Sequence, residues 1–162
     1  MALLARLRAF LDDNHVEYTR TTHPLAYTAR EVASAEHLPS REVAKTVIIF
    51  GDDRYHMVVV PASRLVDFQE VRYTLGLTHA RLATEAEVGE LFPDCELGAM
   101  PPMGNLYGMP VYLDSSLAEE PMIAFNGGTH RDVVHMHTDQ YRSLVHPVVI
   151  SLAREAVMRH GW

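Results

Sequence analysis

The sequence predicts a mixed α+β fold in a single domain spanning residues 1–162, and three observations predict it. Two apolar runs, Val43 to Phe50 and Tyr55 to Val60, flank Gly51-Asp52-Asp53, whose turn chemistry and close spacing read as a β-hairpin. Helix-like and strand-like segments alternate on both sides of that hairpin. No internal repeat, low-complexity segment or linker divides the chain, and 162 residues suit one domain with a sizeable core.

In order, Leu3, Leu4, Leu7, Phe10 and Leu11 recur at helical spacing, so residues 2–14 read as an amphipathic helix. Val16 to Thr22 alternates as a strand until His23-Pro24 breaks it. Thr28-Ala29-Arg30-Glu31 matches a capping box, opening a short helix to about His37. Pro39-Ser40 leads into the hairpin, both arms of which look central, and Pro61 ends the second arm. Asp67 caps a helix to Gly76, Ala80 to Ala83 reads as a short strand, and Thr84-Glu85-Ala86-Glu87 is a second capping box for a helix closed by Phe92-Pro93. Val111 to Leu113, Met122 to Phe125, Asp132 to Met136 and Val148 to Ile150 read as strands. A helix starts at Thr138-Asp139, and Leu152 to His160 reads as a terminal helix.

With 48% hydrophobic and 22% charged residues the composition is that of an ordered globular protein. No run approaches the ~20 apolar residues of a membrane span, so a cytoplasmic protein with no membrane partner is expected. One cysteine, Cys95, excludes an internal disulfide and any multi-cysteine zinc site, and it reads as a buried small hydrophobe. A net charge of -7 argues against DNA and against any long nucleic-acid interface, but leaves room for a local basic pocket. There is no G-x-S-x-G elbow, Walker A loop, G-x-G-x-x-G or H-E-x-x-H.

Four features could carry chemistry. In the first hairpin arm Lys45 shares a face with Val43, Val47 and Ile49, while Ala44, Thr46, Ile48 and Phe50 take the other. Lys45 is the only charge there. With both faces largely apolar, its ammonium must snorkel to the strand end or meet an anion or carbonyl oxygen. The second is the uncharged loop GAMPPMGNLYGMP, Gly98 to Pro110, whose glycines allow close backbone approach to a ligand while its prolines stiffen the path. The third is FNGGTHRD, Phe125 to Asp132, where His130 stands just after a turn and could hold a substrate amine or hydroxyl. The fourth is His135 and His137, which share a strand face and could start a metal site with His130 or Asp132. Ten histidines make such pairs common by chance.

T-A-x-E-V-A at residues 28–33, V-A-K-T-V at 43–47, G-A-x-P-P-x-G at 98–104 and F-N-G-G-T-H at 125–130 together resemble the YbaK/prolyl-tRNA synthetase-associated editing domains, in the right order over almost the whole chain. The resemblance implies a central mixed, mostly antiparallel sheet, partly closed into a barrel and flanked by helices. It also implies a hydrolase that clears the ester of mischarged aminoacyl-tRNA, with Lys45 as the residue closest to catalysis. The substrate-binding residues it implies are Thr28, Gly98, Ala99, Met100, Pro101, Pro102, Gly128 and His130. The subgroup that clears cysteinyl-tRNA(Pro) reads G-G-x-S-P where this chain has Ala99 and Pro101, so cysteine specificity does not transfer.

The expectation is a free-standing enzyme acting in trans on a small aminoacyl ester, without metal or other cofactor. Its partners would be the acceptor end of the tRNA and a prolyl-tRNA synthetase or another synthetase. Positioned water, backbone N–H groups on the carbonyl and Lys45 on the terminal phosphate would suffice for an already activated ester. An acidic protein that grips only the single-stranded end should show a shallow salt dependence. Two alternatives stand beside it: a non-catalytic module that binds an aminoacyl-tRNA or nucleotide, and a metal-dependent hydrolase using His130, His135 and His137.

Overall fold

The computed structural model describes residues 4–155. The amphipathic opening forms α1 (Ala5–Asp13), which buries Leu7 and Leu11, and leads into β1 (Tyr18–Thr22). α2 (Ala29–Ala35) starts at the expected capping box: Thr28 accepts from the Glu31 N–H, and the Glu31 side chain reaches back to the Thr28 N–H. A 3₁₀ turn (Ser40–Glu42) then delivers the chain to the hairpin of β2 (Ala44–Gly51) and β3 (Arg54–Pro61). The connection is tight, with Asp52 and Asp53 both at positive φ (49° and 67°), and Gly51 belongs to β2 itself, paired with Arg54.

After the hairpin come β4 (Arg64–Val66), α3 (Phe68–Leu75), β5 (Arg81–Leu82) and α4 (Glu85–Leu91), the last opened by the Thr84–Glu87 capping box. The Gly98–Pro110 segment is a loop containing one 3₁₀ turn (Gly104–Leu106). β6 (Val111–Asp114), α5 (Ser115–Ala118), β7 (Met122–Asn126), β8 (Asp132–His137), α6 (Thr138–Val145), β9 (Val148–Ile150) and β10 (Ala153–Glu155) complete the described chain.

Among the described residues the strands form three open sheets and no closed barrel: β5-β2-β3-β6-β9, β1-β8-β7 and the pair β10-β4. In the largest sheet β3 is antiparallel to β2 and parallel to β6, and β6 is parallel to β9, so the sheet is mixed. A single parallel bridge between Val43 and Ala124 joins the start of β2 to β7, tying the large sheet to the three-stranded one. The main core lies on one face of β2 and β3, where Ile48, Met57 and Val59 pack with Leu7, Leu11, Phe125 and Tyr141. On the other face Ile49, Val58 and Val60 pack against Val71 of α3 and Leu152.

Two sequence expectations change, and two short elements appear that the sequence did not signal. β3 is central, but β2 is covered on its outer side only where β5 pairs with Ile49 and Phe50, so its first half lies at an open edge. Ala153 to Glu155 is a strand rather than part of a helix, because its backbone pairs with β4 in the register Ala153↔Val66; the remainder of that expected helix lies outside the described residues. β4 and α5 carried too few residues to show a period.

Candidate active site

The open edge of β2 borders a cavity of about 530 Å³. Its floor is Ala44 to Ile48 of β2. The start of α2, from Tyr27 to Arg30, stands on one side, with Ala62 and Leu65 nearby. Leu82, Ala83, Val88, Gly98, Met100 and Asn126 complete the lining. Ala83 donates its N–H to the Ile48 carbonyl at 2.9 Å; by strand alternation the Thr46 N–H and C=O point to the same side, beyond the last paired residue of β5.

Lys45 sits in this floor, half-buried, with Nζ donating to the Arg64 carbonyl at 3.1 Å. The ion pairs of the described residues engage Arg6, Arg20, Arg41, Arg81, His23 and His135, not Lys45. Burial, and secondly the nearby Arg30 guanidinium, lower its pKa from the ordinary lysine value. Next to it the Thr46 hydroxyl oxygen is buried without a hydrogen-bond partner, as is the side-chain oxygen of Asn126. Buried polar groups are nearly always satisfied, so two of the seven buried orphan side-chain atoms of the described residues, beside a half-buried ammonium on one lining, make this cavity the candidate site.

Two segments far apart in sequence back the opposite wall as one unit. Gly128 N–H donates to the Ala99 carbonyl at 3.0 Å, Glu96 N–H to the Gly128 carbonyl at 2.8 Å, and His130 N–H to the Glu96 carboxylate at 2.6 Å. His130 Nε2 lies 2.6 Å from the Leu97 carbonyl, which fixes Nε2 as the protonated nitrogen, and the ring rests 5.1 Å from that of Tyr27. Gly98 at φ +85° passes over this imidazole, and only a residue without Cβ adopts that backbone freely. Gly128 at φ +98° would place a Cβ 2.8 Å from that of Leu4, so the turn also clamps α1.

Of the residues singled out from sequence, Lys45, Thr28, Gly98 and Met100 line the cavity together. Ala99, Pro101, Pro102, Gly128 and His130 do not; they form the layer behind the wall. Pro102 there accepts a hydrogen bond from the buried Tyr141 hydroxyl at 2.7 Å. Sequence reasoning missed Tyr27, Arg30 and Asn126. The signal available was adjacency: Tyr27 and Arg30 flank the Thr28 cap, and Asn126 precedes the Gly-Gly turn.

The histidines of the metal alternative do not converge. His135 Nε2 is 2.9 Å from a Glu36 carboxylate oxygen, His137 is exposed and His130 is committed to Leu97. Among the described residues no three His, Cys, Asp or Glu side chains are grouped to hold a metal ion. Cys95 packs half-buried against the core beside Tyr107, and burial pushes its thiol up to about 11, so it is no thiolate nucleophile at neutral pH. No helix of the described residues is long and apolar enough to cross a membrane.

Fold and cavity thus define a mixed α/β domain with one cavity lined by a single lysine, strand backbone and small polar side chains. Residues 23–144 match the model of the aminoacyl-tRNA editing domain. The chain is 26% identical over 156 residues to the multifunctional Ser/Thr-tRNA deacylase ProXp-y of Escherichia coli (strain K12), covering 93% of each. It superimposes with a TM-score of 0.80 and 25% identity on a crystal structure described as a candidate trans-editing enzyme for prolyl-tRNA synthetase, covering 92% of this chain and 95% of that one. A hypothetical protein of known structure shares the fold at TM-score 0.83 and 18% identity, covering 92% and 99%. The chain belongs to the aminoacyl-tRNA editing domain family. Its class is that of a hydrolase, an aminoacyl-tRNA deacylase.

Proposed function

We propose that this chain, acting as one unit and in trans, hydrolyses the ester between a small amino acid and the terminal ribose of a mischarged tRNA in the cytoplasm. The observation that carries the reading is the Lys45 ammonium on the floor of a cavity of about 530 Å³, with a single backbone carbonyl as its partner. That volume falls within the roughly 300–1,000 Å³ of small-molecule sites. It suits a terminal nucleoside carrying a short acyl group.

Water adds to the ester carbonyl, a C–O bond forms, and the oxyanion collapses with cleavage of the bond to the ribose oxygen, which leaves protonated as a hydroxyl. Lys45 supplies positive charge to the terminal phosphate and thereby seats the ester. In this reading the N–H groups of Gly98, Met100 and the open Thr46 edge polarise the carbonyl, and a hydroxyl of the terminal ribose assists the water. Each such contact is worth ~10² to 10³ in rate. Selectivity falls to the apolar part of the lining, Val47, Ile48, Val88 and Met100, as a size sieve worth ~1–3 kcal/mol per methylene. The relatives support a hydroxylated or other small side chain and a synthetase partner such as prolyl-tRNA synthetase.

The experiment is deacylation of Ala-, Ser-, Thr-, Cys- and Pro-tRNA by the wild-type protein, with and without a chelator. Clearance of one or two small esters, unaffected by chelator, is the expected result. Rates equal to spontaneous hydrolysis across the panel would favour a module that binds aminoacyl ends without turning them over.

A further inference from the structure

Seven large apolar side chains are conspicuously exposed among the described residues, and three of them, Tyr27, Leu65 and Leu82, line the Lys45 cavity. Tyr27 is 62% exposed, Leu65 42% and Leu82 56%. The Tyr27 ring is nevertheless held, backed by the His130 imidazole at 5.1 Å. A rigid aromatic face left open at a cavity mouth costs the folded protein without a partner to cover it.

One arginine shares that lining with the three apolar side chains. Arg30 lines the cavity and also a neighbouring groove of about 490 Å³, which it shares with Arg41 and Arg64, so the two spaces meet at its side chain. Arg41 is paired with Glu120 at 3.5 Å. Neither Arg30 nor Arg64 is in an ion pair among the described residues; Arg30 makes only a long contact of 3.5 Å to the Ser63 carbonyl. Glu119 and Glu155 also border the groove, both exposed. An arginine among open apolar and aromatic side chains, with two more guanidinium groups in the adjoining groove, is the composition of a platform for single-stranded nucleic acid, where bases stack and phosphates meet guanidinium groups.

We propose that the cavity mouth docks the last unpaired nucleotides of the acceptor strand, with a base stacked on Tyr27 and the phosphodiester backbone running past Arg30 and Arg64 into the adjoining groove. This assignment rests on the deacylase reading and extends it to how the RNA is held. It also explains how a protein of net charge -7 takes an RNA substrate: it engages two or three phosphates rather than a duplex. The exposed carboxylates at the groove rim limit affinity and favour release.

The test is equilibrium binding of an uncharged RNA hairpin ending in a single-stranded CCA, measured against salt with the intact protein. Stacking and charge leave different signatures. Tyr27→Ala should raise Kd about ten-fold with an unchanged salt slope, and Tyr27→Phe should restore binding. Arg64→Ala should flatten the slope by about 0.7, one phosphate's share for a single strand, while Arg142→Ala on α6 should not. Glu119→Gln should tighten binding. A blunt hairpin without the CCA end should bind at least ten-fold more weakly. The proposal is overturned if Tyr27→Ala changes Kd less than two-fold, if Arg64→Ala and Arg142→Ala act alike, or if the blunt hairpin binds as well. Hairpin binding with these signatures but no turnover of any charged tRNA would instead count against the deacylase reading.

Discussion

Two polar regions of this molecule are built in opposite ways. On the three-stranded sheet, Asp132 is fully buried, yet it accepts from Arg20 Nε and Nη2 at 2.9 and 2.7 Å and from the Thr129 hydroxyl at 2.6 Å. Beside it the Glu36 carboxylate, at the C-terminus of α2, is held by Thr21 and His135. These carboxylates are answered within the fold. At the open edge of β2, Lys45 has one carbonyl, and the Thr46 and Asn126 oxygens have nothing. Satisfied buried charge holds the structure together, whereas two buried oxygens without partners and a half-buried ammonium share the lining of the Lys45 cavity.

That contrast can be broken from either side. Asp132→Ala leaves the Arg20 guanidinium and the Thr129 hydroxyl without their acceptor, and should cost about 3 kcal/mol in urea unfolding while folded protein keeps its turnover. Equal losses of turnover and stability would erase the distinction. Gly128→Ala, forced into a positive φ and against Leu4, should cost about 2 kcal/mol, whereas Gly98→Ala carries only the strain of its positive φ, about 1 kcal/mol, and should lower activity more than stability. Glu36→Gln keeps the shape of its network and should cost about 1 kcal/mol with no effect on catalysis.

The smallest effect concerns the charge of Lys45. Burial and Arg30 depress its pKa, so in the free protein its ammonium should be lost at a lower pH than that of an exposed lysine. An NMR titration of the lysine side chains should find it below the ordinary value. An RNA end bearing phosphate favours the charged form, so adding one should move the midpoint upward. A midpoint that falls on addition would place no anion at Lys45.

Local signals made much of this legible. The capping boxes at Thr28 and Thr84, the Asp67 cap and the paired aspartates of the hairpin turn each dictate their own backbone geometry, and each formed where expected. What failed depended on distant partners: Ala153 to Glu155 has a helical pattern, but pairing with Val66 to Arg64 decides its state. The site divided the same way. Lys45 stood out as a lone charge in an apolar strand, and Gly98 as a glycine in a stiff loop. Ala99, Gly128 and His130 belong to the same motifs yet serve the wall from behind, because Gly128 bonds to Ala99 and both Ala99 and His130 bond to the Glu96–Leu97 segment. Tyr27 and Asn126 showed no pattern of their own; only the meeting of α2, β2 and β7 gives them a shared cavity.

The most direct test of the central claim is the single-turnover rate of the best small aminoacyl ester with wild type and Lys45→Ala, with folding checked by circular dichroism. The account predicts a rate at least ~10²-fold lower in the variant, with RNA-hairpin binding weakened far less. A variant that clears the ester within a few-fold of wild type would contradict it, and would move the chemistry away from Lys45.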